Sequence, residues 1–277
     1  EAMKYSFDVA DPSPELAELR KISFDQYLKD CPPKLKAMVI DPLLNFAFEP
    51  DFTKLSADYG LFHVRFAMEM GSGKAYTFEE NLRIVANVLE KKIMDSGSEV
   101  SLSSKVERVE KEEGGFKIYF RKRGEEKTEK VEKVVFATPL FETERIFPEL
   151  KLPRGVEYRK SEVNLVRGKP KTERKVIMGI PAENEANIRL LFQAYPSEHQ
   201  IYPVDLKKEI DPSALYEDWE IIEKRKLEAA YPILVPKGEV PSLKNEIEGV
   251  YLCGDFYYYP SLETAIASAE MVAGMIS

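Results

Sequence analysis

The sequence predicts a mixed chain, α+β or α/β, in which one α/β layer is interrupted by an inserted sheet and preceded by a helical section. Three observations predict it. A strong helix signal at Thr77 and short alternating strands lead into the apolar run Val134-Val135-Phe136-Ala137. A second apolar run, Gly249-Val250-Tyr251-Leu252-Cys253, comes more than a hundred residues later and precedes a small-residue helix. Between the two, from about 155 to 245, strand patterns return between proline and charge clusters, as in a mixed or antiparallel sheet. The expected layout is a helical part over 1–70, the first portion of the layer over 71–150, inserted sheet and helix over 151–245, and a closing strand and helix over 246–277.

Taken in order, Pro12 and Pro14 feed a helix at Glu15-Leu16-Ala17-Glu18-Leu19. Phe24, Tyr27 and Leu28 keep helical spacing before the breakers Pro32 and Pro33. Leu35 to Phe48 is a further helical candidate interrupted by Pro42. Thr77-Phe78-Glu79-Glu80 is a capping box, in which the threonine oxygen and the Glu80 side chain satisfy orphan backbone donors. Leu82, Val85, Val88, Leu89 and Ile93 then form one apolar stripe, and Gly97 supplies the stop. Strands are expected at Glu99–Leu102, Lys105–Glu110 and Phe116–Phe120, the last two joined by Gly114-Gly115. Arg121 to Lys133 reads as a solvated hairpin tip. The run Val134–Ala137 reads as a strand buried on both faces. In the inserted part, strands are expected at Val156–Val166, Lys175–Ile180 and Ala186–Tyr195. Pro212-Ser213 is expected to open a helix over Ala214–Ala230 carrying Trp219, Ile222 and Leu227. The final helix runs from about Leu262 to Ile276.

Bulk properties exclude several classes of function. The 277 residues are 44% hydrophobic and 32% charged, enough to bury a core. A formal charge of −8 argues against tracking a phosphate backbone, so no nucleic-acid partner is expected. No apolar run nears the roughly 20 residues of a membrane span, and nothing in the sequence supports membrane association. Two cysteines (Cys31, Cys253) and two histidines (His63, His199) leave no metal-ligand spacing and little room for a Ser-His or Cys-His hydrolase. A reducing, cytoplasmic setting is the expectation. Gly71-Ser72-Gly73-Lys74 fails as a phosphate loop, because the upstream glycine is absent and alanine follows the lysine.

The segment Gly249-Val-Tyr-Leu-Cys-Gly254-Asp255, then Pro260-Ser-Leu-Glu263-Thr264-Ala265-Ile-Ala-Ser268, carries the strongest chemical signal. A buried strand ends at a glycine that permits close approach to the backbone. An aspartate follows, able to accept from hydroxyl groups. A helix capped by Ser261 starts a few residues on, and its free N–H groups favour an electron-rich ligand edge. A ligand-free strand-turn-helix connection accounts for the same pattern equally well.

This segment resembles the C-terminal flavin-binding motif of the flavin amine oxidase, protoporphyrinogen oxidase and phytoene desaturase family. The resemblance implies FAD contacts at Gly254 and Asp255, and at the helix start formed by Glu263, Thr264 and Ala265. It departs from the family at Thr264 and Ala269, where glycine is usual. The stretch from Gly71 through Ser104-Lys105-Val106 resembles the family's second FAD-contacting region, with Val106 at the adenine-facing position and Val109 in the core. Val134-Val-Phe-Ala-Thr-Pro139 resembles its buried strand, and Tyr231-Pro232 its aromatic-proline pair beside the flavin. Resemblance runs, with gaps, over most of 70–277. It implies an oxidoreductase moving a hydride from a hydrophobic or amine small molecule to flavin, with no residue singled out as a catalytic base. No Gly-x-Gly-x-x-Gly occurs, so the pyrophosphate cradle is expected from a missing N-terminal FAD-binding segment or a partner chain. A binding or scaffold protein that has lost FAD is the alternative. His63 and His199 are read as core or solvated residues.

Overall fold

A computed structural model describes residues 4–8, 11–36, 40, 53–72, 83–152, 155–171, 176–177, 191–192, 199–204, 213, 216–239 and 242–276. Its elements are α1 (Glu15–Leu19), α2 (Phe24–Tyr27), α3 (Pro33–Leu35), α4 (Ala57–Ser72), α5 (Arg83–Asp95), β1 (Ser104–Glu112), β2 (Gly115–Lys122), β3 (Glu125–Val131), β4 (Val134–Phe136), α6 (Leu140–Ile146), β5 (Val156–Pro170), β6 (Val176–Ile177), β7 (Leu191–Phe192), β8 (His199–Val204), β9 (Tyr216–Leu234), β10 (Val250–Leu252) and α7 (Leu262–Ile276). They divide into two compact units. One holds 1–7, 13–84 and 157–237; the other holds 8–12, 85–156 and 238–277.

In the first unit, short helices follow the expected breakers. Ser23 caps α2 through a capping box with Gln26. Phe24 is fully buried, and its ring lies so close to Gly60 that a Cβ there would sit 2.3 Å from it, so glycine lets α2 press onto α4. Arg20 and Asp58 form a buried ion pair at 2.6 Å. The α4 segment is tied to the end of β9: the Ser56 N–H donates to the Leu234 carbonyl at 2.9 Å and the Tyr59 hydroxyl to Pro232 at 3.2 Å. The remaining strands form a five-stranded sheet in the order β6-β7-β8-β5-β9.

That sheet corrects one expectation: 216–234 is a strand, not a helix. Trp219, Ile222 and Leu227 do not share a helical face, and each remains 39–41% exposed. Lys169, Arg167 and Lys160 of β5 pair in reverse order with Glu217, Glu220 and Glu228 of β9. Cross-strand pairing thus outweighs the helix propensity of the Glu-Lys-Arg-Lys-Leu-Glu stretch.

In the second unit, β1-β2-β3 form an antiparallel meander. Gly114 turns it with φ +81°. The expected hairpin tip is itself β3, a strand exposed over all but Val131, with the turn confined to Arg123-Gly124. Glu99–Leu102 forms no strand; a turn at Leu102-Ser103 leads into β1. Val134 and Phe136 are buried, but Val135 is 41% exposed, so β4 is covered on one face only. Gly97 ends α5 with φ +84°, as expected. The apolar stripe of α5 is not buried, however: Val88, Leu89 and Ile93 are 42–49% exposed. The capping box at 77–80, most of the candidate helix 35–48, and most of the expected strands at 175–180 and 186–195 lie outside the described residues.

Candidate functional site

The two apolar runs meet. β10 pairs with β4 in parallel, in the register Val250↔Val134, Tyr251↔Val135, Leu252↔Phe136. Parallel strands bring their carboxyl ends to one side, where open α/β sheets bind ligands. There β4 runs into Ala137-Thr138-Pro139 and β10 into Cys253-Gly254-Asp255. The Cys253 N–H donates to the Phe136 carbonyl at 3.1 Å, extending the pairing to the turn itself.

Gly254 is held from behind by Ser268 of α7. The Gly254 N–H donates to Ser268 Oγ at 3.0 Å, and the fully buried hydroxyl lies within donating distance of the Gly254 carbonyl (3.2 Å) and the Ala265 carbonyl (3.0 Å). Ser261 caps α7 as expected: its Oγ accepts from the Thr264 N–H at 3.0 Å, and its hydroxyl donates to Thr264 Oγ1 at 3.0 Å. The Ala265 N–H donates to the Ser261 carbonyl at 3.1 Å. The N–H groups of Leu262 and Glu263 find no partner among the described residues, so two donors remain at the start of a 15-residue helix. Thr264 departs from the family pattern without standing out toward a ligand. It is 2% exposed, and its hydroxyl is spent on the cap.

Asp255 is half-buried, and burial pushes its carboxyl above the usual range, while its own N–H and that of Phe256 pull the other way. Its carboxyl group therefore sits in a partly dehydrated place beside the start of α7. The neighbouring aromatic run is core rather than wall. Phe256 and Tyr259 are each 1% exposed, and Tyr257 packs against Leu243, Tyr251, Cys253 and Val272. Phe256 also explains Gly254, since a Cβ there would meet its ring at 2.6 Å.

The structure therefore gathers Gly254, Asp255, Glu263, Thr264 and Ala265 at one turn-helix junction, with Glu263 exposed and Ala265 half-buried. Val106 lies in a different sheet, half-buried opposite Phe120, while Val109 is core as expected. A bulge between Val106 and Arg108 puts Val106 and Val109 on the same face, which their odd spacing would otherwise forbid. Pro232, of the expected aromatic-proline pair, is a buried acceptor for Tyr59 in the first unit. In sequence Ser268 reads only as a position on the final helix; its spacing of one α-turn from Thr264 is the available signal. His63 Nδ1 lies 3.0 Å from the Tyr59 carbonyl, and burial lowers its pKa to about 4, so the ring is neutral near pH 7. A cleft of about 520 Å³ near Gly115, Glu132, Lys133 and Gly249 lies at the opposite, amino-terminal ends of β4 and β10. Among the described residues no group of three or more His, Cys, Asp or Glu could hold a metal, and no helix is long and apolar enough to cross a membrane.

No protein-family model and no curated protein matches the chain. Solved structures do resemble it. A protein assigned as protoporphyrinogen oxidase from Exiguobacterium sp. 255-15 matches with a TM-score of 0.59 at 14% identity, over 92% of this chain and 66% of its own. The p-nitrophenol 4-monooxygenase PnpA from Pseudomonas putida DLL-E4 gives 0.48 at 10% identity, over 71% of this chain and 55% of its own. A flavoprotein/dehydrogenase from Cytophaga hutchinsonii gives 0.43 at 11% identity, over 66% and 50%. The chain thus spans about two thirds of the length of the first of these. The likeness is one of fold.

Proposed function

We propose that residues 1–277 form the substrate-side and C-terminal flavin-facing part of an FAD-dependent oxidoreductase acting on an apolar or amine small molecule. The observation that supports this most is the parallel pairing of β4 with β10, which sets the Gly254-Asp255 turn beside the capped start of α7. The residues present suit the flavin end of FAD. Asp255 offers a carboxylate for ribityl hydroxyls, and the Leu262 and Glu263 N–H groups, without partners among the described residues, suit the electron-rich pyrimidine edge. They do not suit the pyrophosphate, for which no Gly-x-Gly-x-x-Gly is present. That cradle would come from a nucleotide-binding segment outside these residues. Bound flavin would supply the hydride acceptor; the chain's own part is to orient it and to limit water around it. Ser268 and Ser261 hold the turn and the helix start, and Asp255 contributes a fixed negative charge.

A binding protein without FAD is the second reading, and Phe256 favours it, because its ring fills the space beside Gly254 that a ligand would approach. The two separate on one measurement. Residues 1–277 joined to the nucleotide-binding segment should retain FAD, with visible flavin absorbance, through gel filtration. A joined protein that folds, stays colourless and still binds apolar or amine ligands would replace the first reading with the second.

A further inference from the structure

Four residues of α4, Tyr59, Phe62, His63 and Phe66, recur at the spacing that puts side chains on one side of a helix. The Tyr59 and His63 rings lie 4.4 Å apart, Phe62 meets the His63 ring edge-on at 5.3 Å, and Phe66 stacks along Phe62 at 6.4 Å. Phe7 adds an edge contact to Phe62 at 5.8 Å. The neighbouring polar groups are engaged. The Tyr59 hydroxyl donates to the Pro232 carbonyl, and Arg65 reaches the Tyr5 carbonyl and Glu69. His63 differs. Its ring is neutral near pH 7, because burial disfavours the charged form, so it carries one N–H. Nδ1 lies 3.0 Å from the Tyr59 carbonyl, which can only accept, so that N–H is on Nδ1 and Nε2 keeps its lone pair. Nε2 makes no bond among the described residues. It lies across the imidazole from the helix backbone, in a ring that is half-buried, and Phe66 on the same face is 41% exposed.

We infer that His63 Nε2 is the hydrogen-bond acceptor of a small-molecule site on the aromatic face of α4, which takes a flat apolar ligand bearing an N–H or O–H donor. This deepens the reading under Proposed function and rests on it in calling that ligand the substrate. Phe62 and Phe66 supply a surface on which a flat ring packs offset or edge-on. An apolar surface alone would take any molecule of that shape, whereas one directed acceptor selects those that can donate to it. The neutral Nε2 has no proton to give, so it offers nothing to a carbonyl, an ether or a carboxylate. The substrate class narrows thereby from any apolar molecule or amine to one that presents a donor beside its apolar ring. A phenylalanine at 63 would continue the aromatic face without the acceptor, so comparing the two side chains separates what Nε2 does from what the rings do.

The probes are indole and N-methylindole, which share shape and apolar surface and differ in the N–H that indole alone carries. Each is titrated into residues 1–277, and His63 is followed by the nitrogen-15 resonance of Nε2. Indole should bind about 10-fold more tightly than N-methylindole, the worth of one hydrogen bond to an otherwise unpaired acceptor. The Nε2 resonance should move with indole and stay in place with N-methylindole. His63→Phe should bind the two probes equally; the wild-type resonance stands as the readout even if that variant fails to fold. Failure of indole to bind, equal affinity of the two probes for the wild type, or an Nε2 resonance that indole leaves unmoved would overturn the inference and leave Nε2 to solvent water. So would a folded His63→Phe that still prefers indole. The flavin reading stands or falls separately. A chain that discriminates the probes, yet stays colourless when joined to the nucleotide-binding segment, keeps this site and loses the flavin; one that retains FAD without discriminating them does the reverse.

Discussion

At the scale of single residues, Asp255 shows a conflict between stability and chemistry. Burial raises its folded pKa above the ordinary value of an aspartate in the unfolded chain, so the fold favours the protonated form. The stabilisation linked to this group is complete below that value and is lost as pH rises through the folded pKa. At neutral pH the carboxylate is therefore a cost. Asp255→Asn keeps an acceptor and removes the charge, so its urea midpoint at neutral pH should exceed that of the wild type, with the two converging in acid. FAD affinity of residues 1–277 joined to the nucleotide-binding segment should fall by about 10-fold, because a neutral acceptor replaces a charged one. A variant that binds FAD unchanged would place Asp255 outside the site. The residue types were legible in sequence here, but their reasons were not. Gly254 reads as room for a ligand, whereas the ring it accommodates is Phe256. Thr264 reads as a departure from a usual glycine, whereas its hydroxyl belongs to the helix cap. Neither side-chain direction is encoded in spacing alone.

At the scale of elements, the site is a strand end and a helix start bolted together by Ser268. The fully buried hydroxyl serves Gly254 on β10's exit and Ala265 on α7. Ser268→Ala should destabilise the chain by about 1–3 kcal/mol, because it strips a partner from a partly enclosed backbone N–H. The Gly254 amide should gain exchange rate more than amides of the β1–β2 meander do; a uniform increase would mean the loss is global. Elements that satisfy themselves locally, such as α2 and the Gly-Gly hairpin, were legible in sequence, as were the two apolar runs as strands, though not that β4 leaves Val135 exposed. β9 was not, because its pattern of Glu, Lys and Leu supports a helix until β5 supplies partners for Glu217, Glu220 and Glu228. The stripe of α5 was legible as apolar but not as bare, since a sequence shows which face wants cover and not whether the cover is present.

At the scale of the whole molecule, chain order and spatial order differ, and glycine marks where they are reconciled. β4 and β10 are neighbours although the five-stranded sheet is threaded between them in sequence. The chain leaves the second unit after Val156 and re-enters it at Gly238. Gly155, with φ +107°, packs so tightly against Gly238 that a Cβ on it would lie 2.1 Å from the Gly238 Cα. Exit and entry are thus already side by side, and the insertion is not needed to bring β10 back to β4. A chain that joins Val156 directly to Gly238 through a short glycine link, omitting 157–237, should keep the second unit folded. Loop closure over so short a gap costs little compared with closing the full insertion. The expected result is cooperative thermal unfolding with the β4–β10 amides still protected from exchange. Loss of that protection, with the meander β1-β2-β3 intact, would show that the inserted sheet holds the parallel pair together, and that the layer is not an independent folding unit.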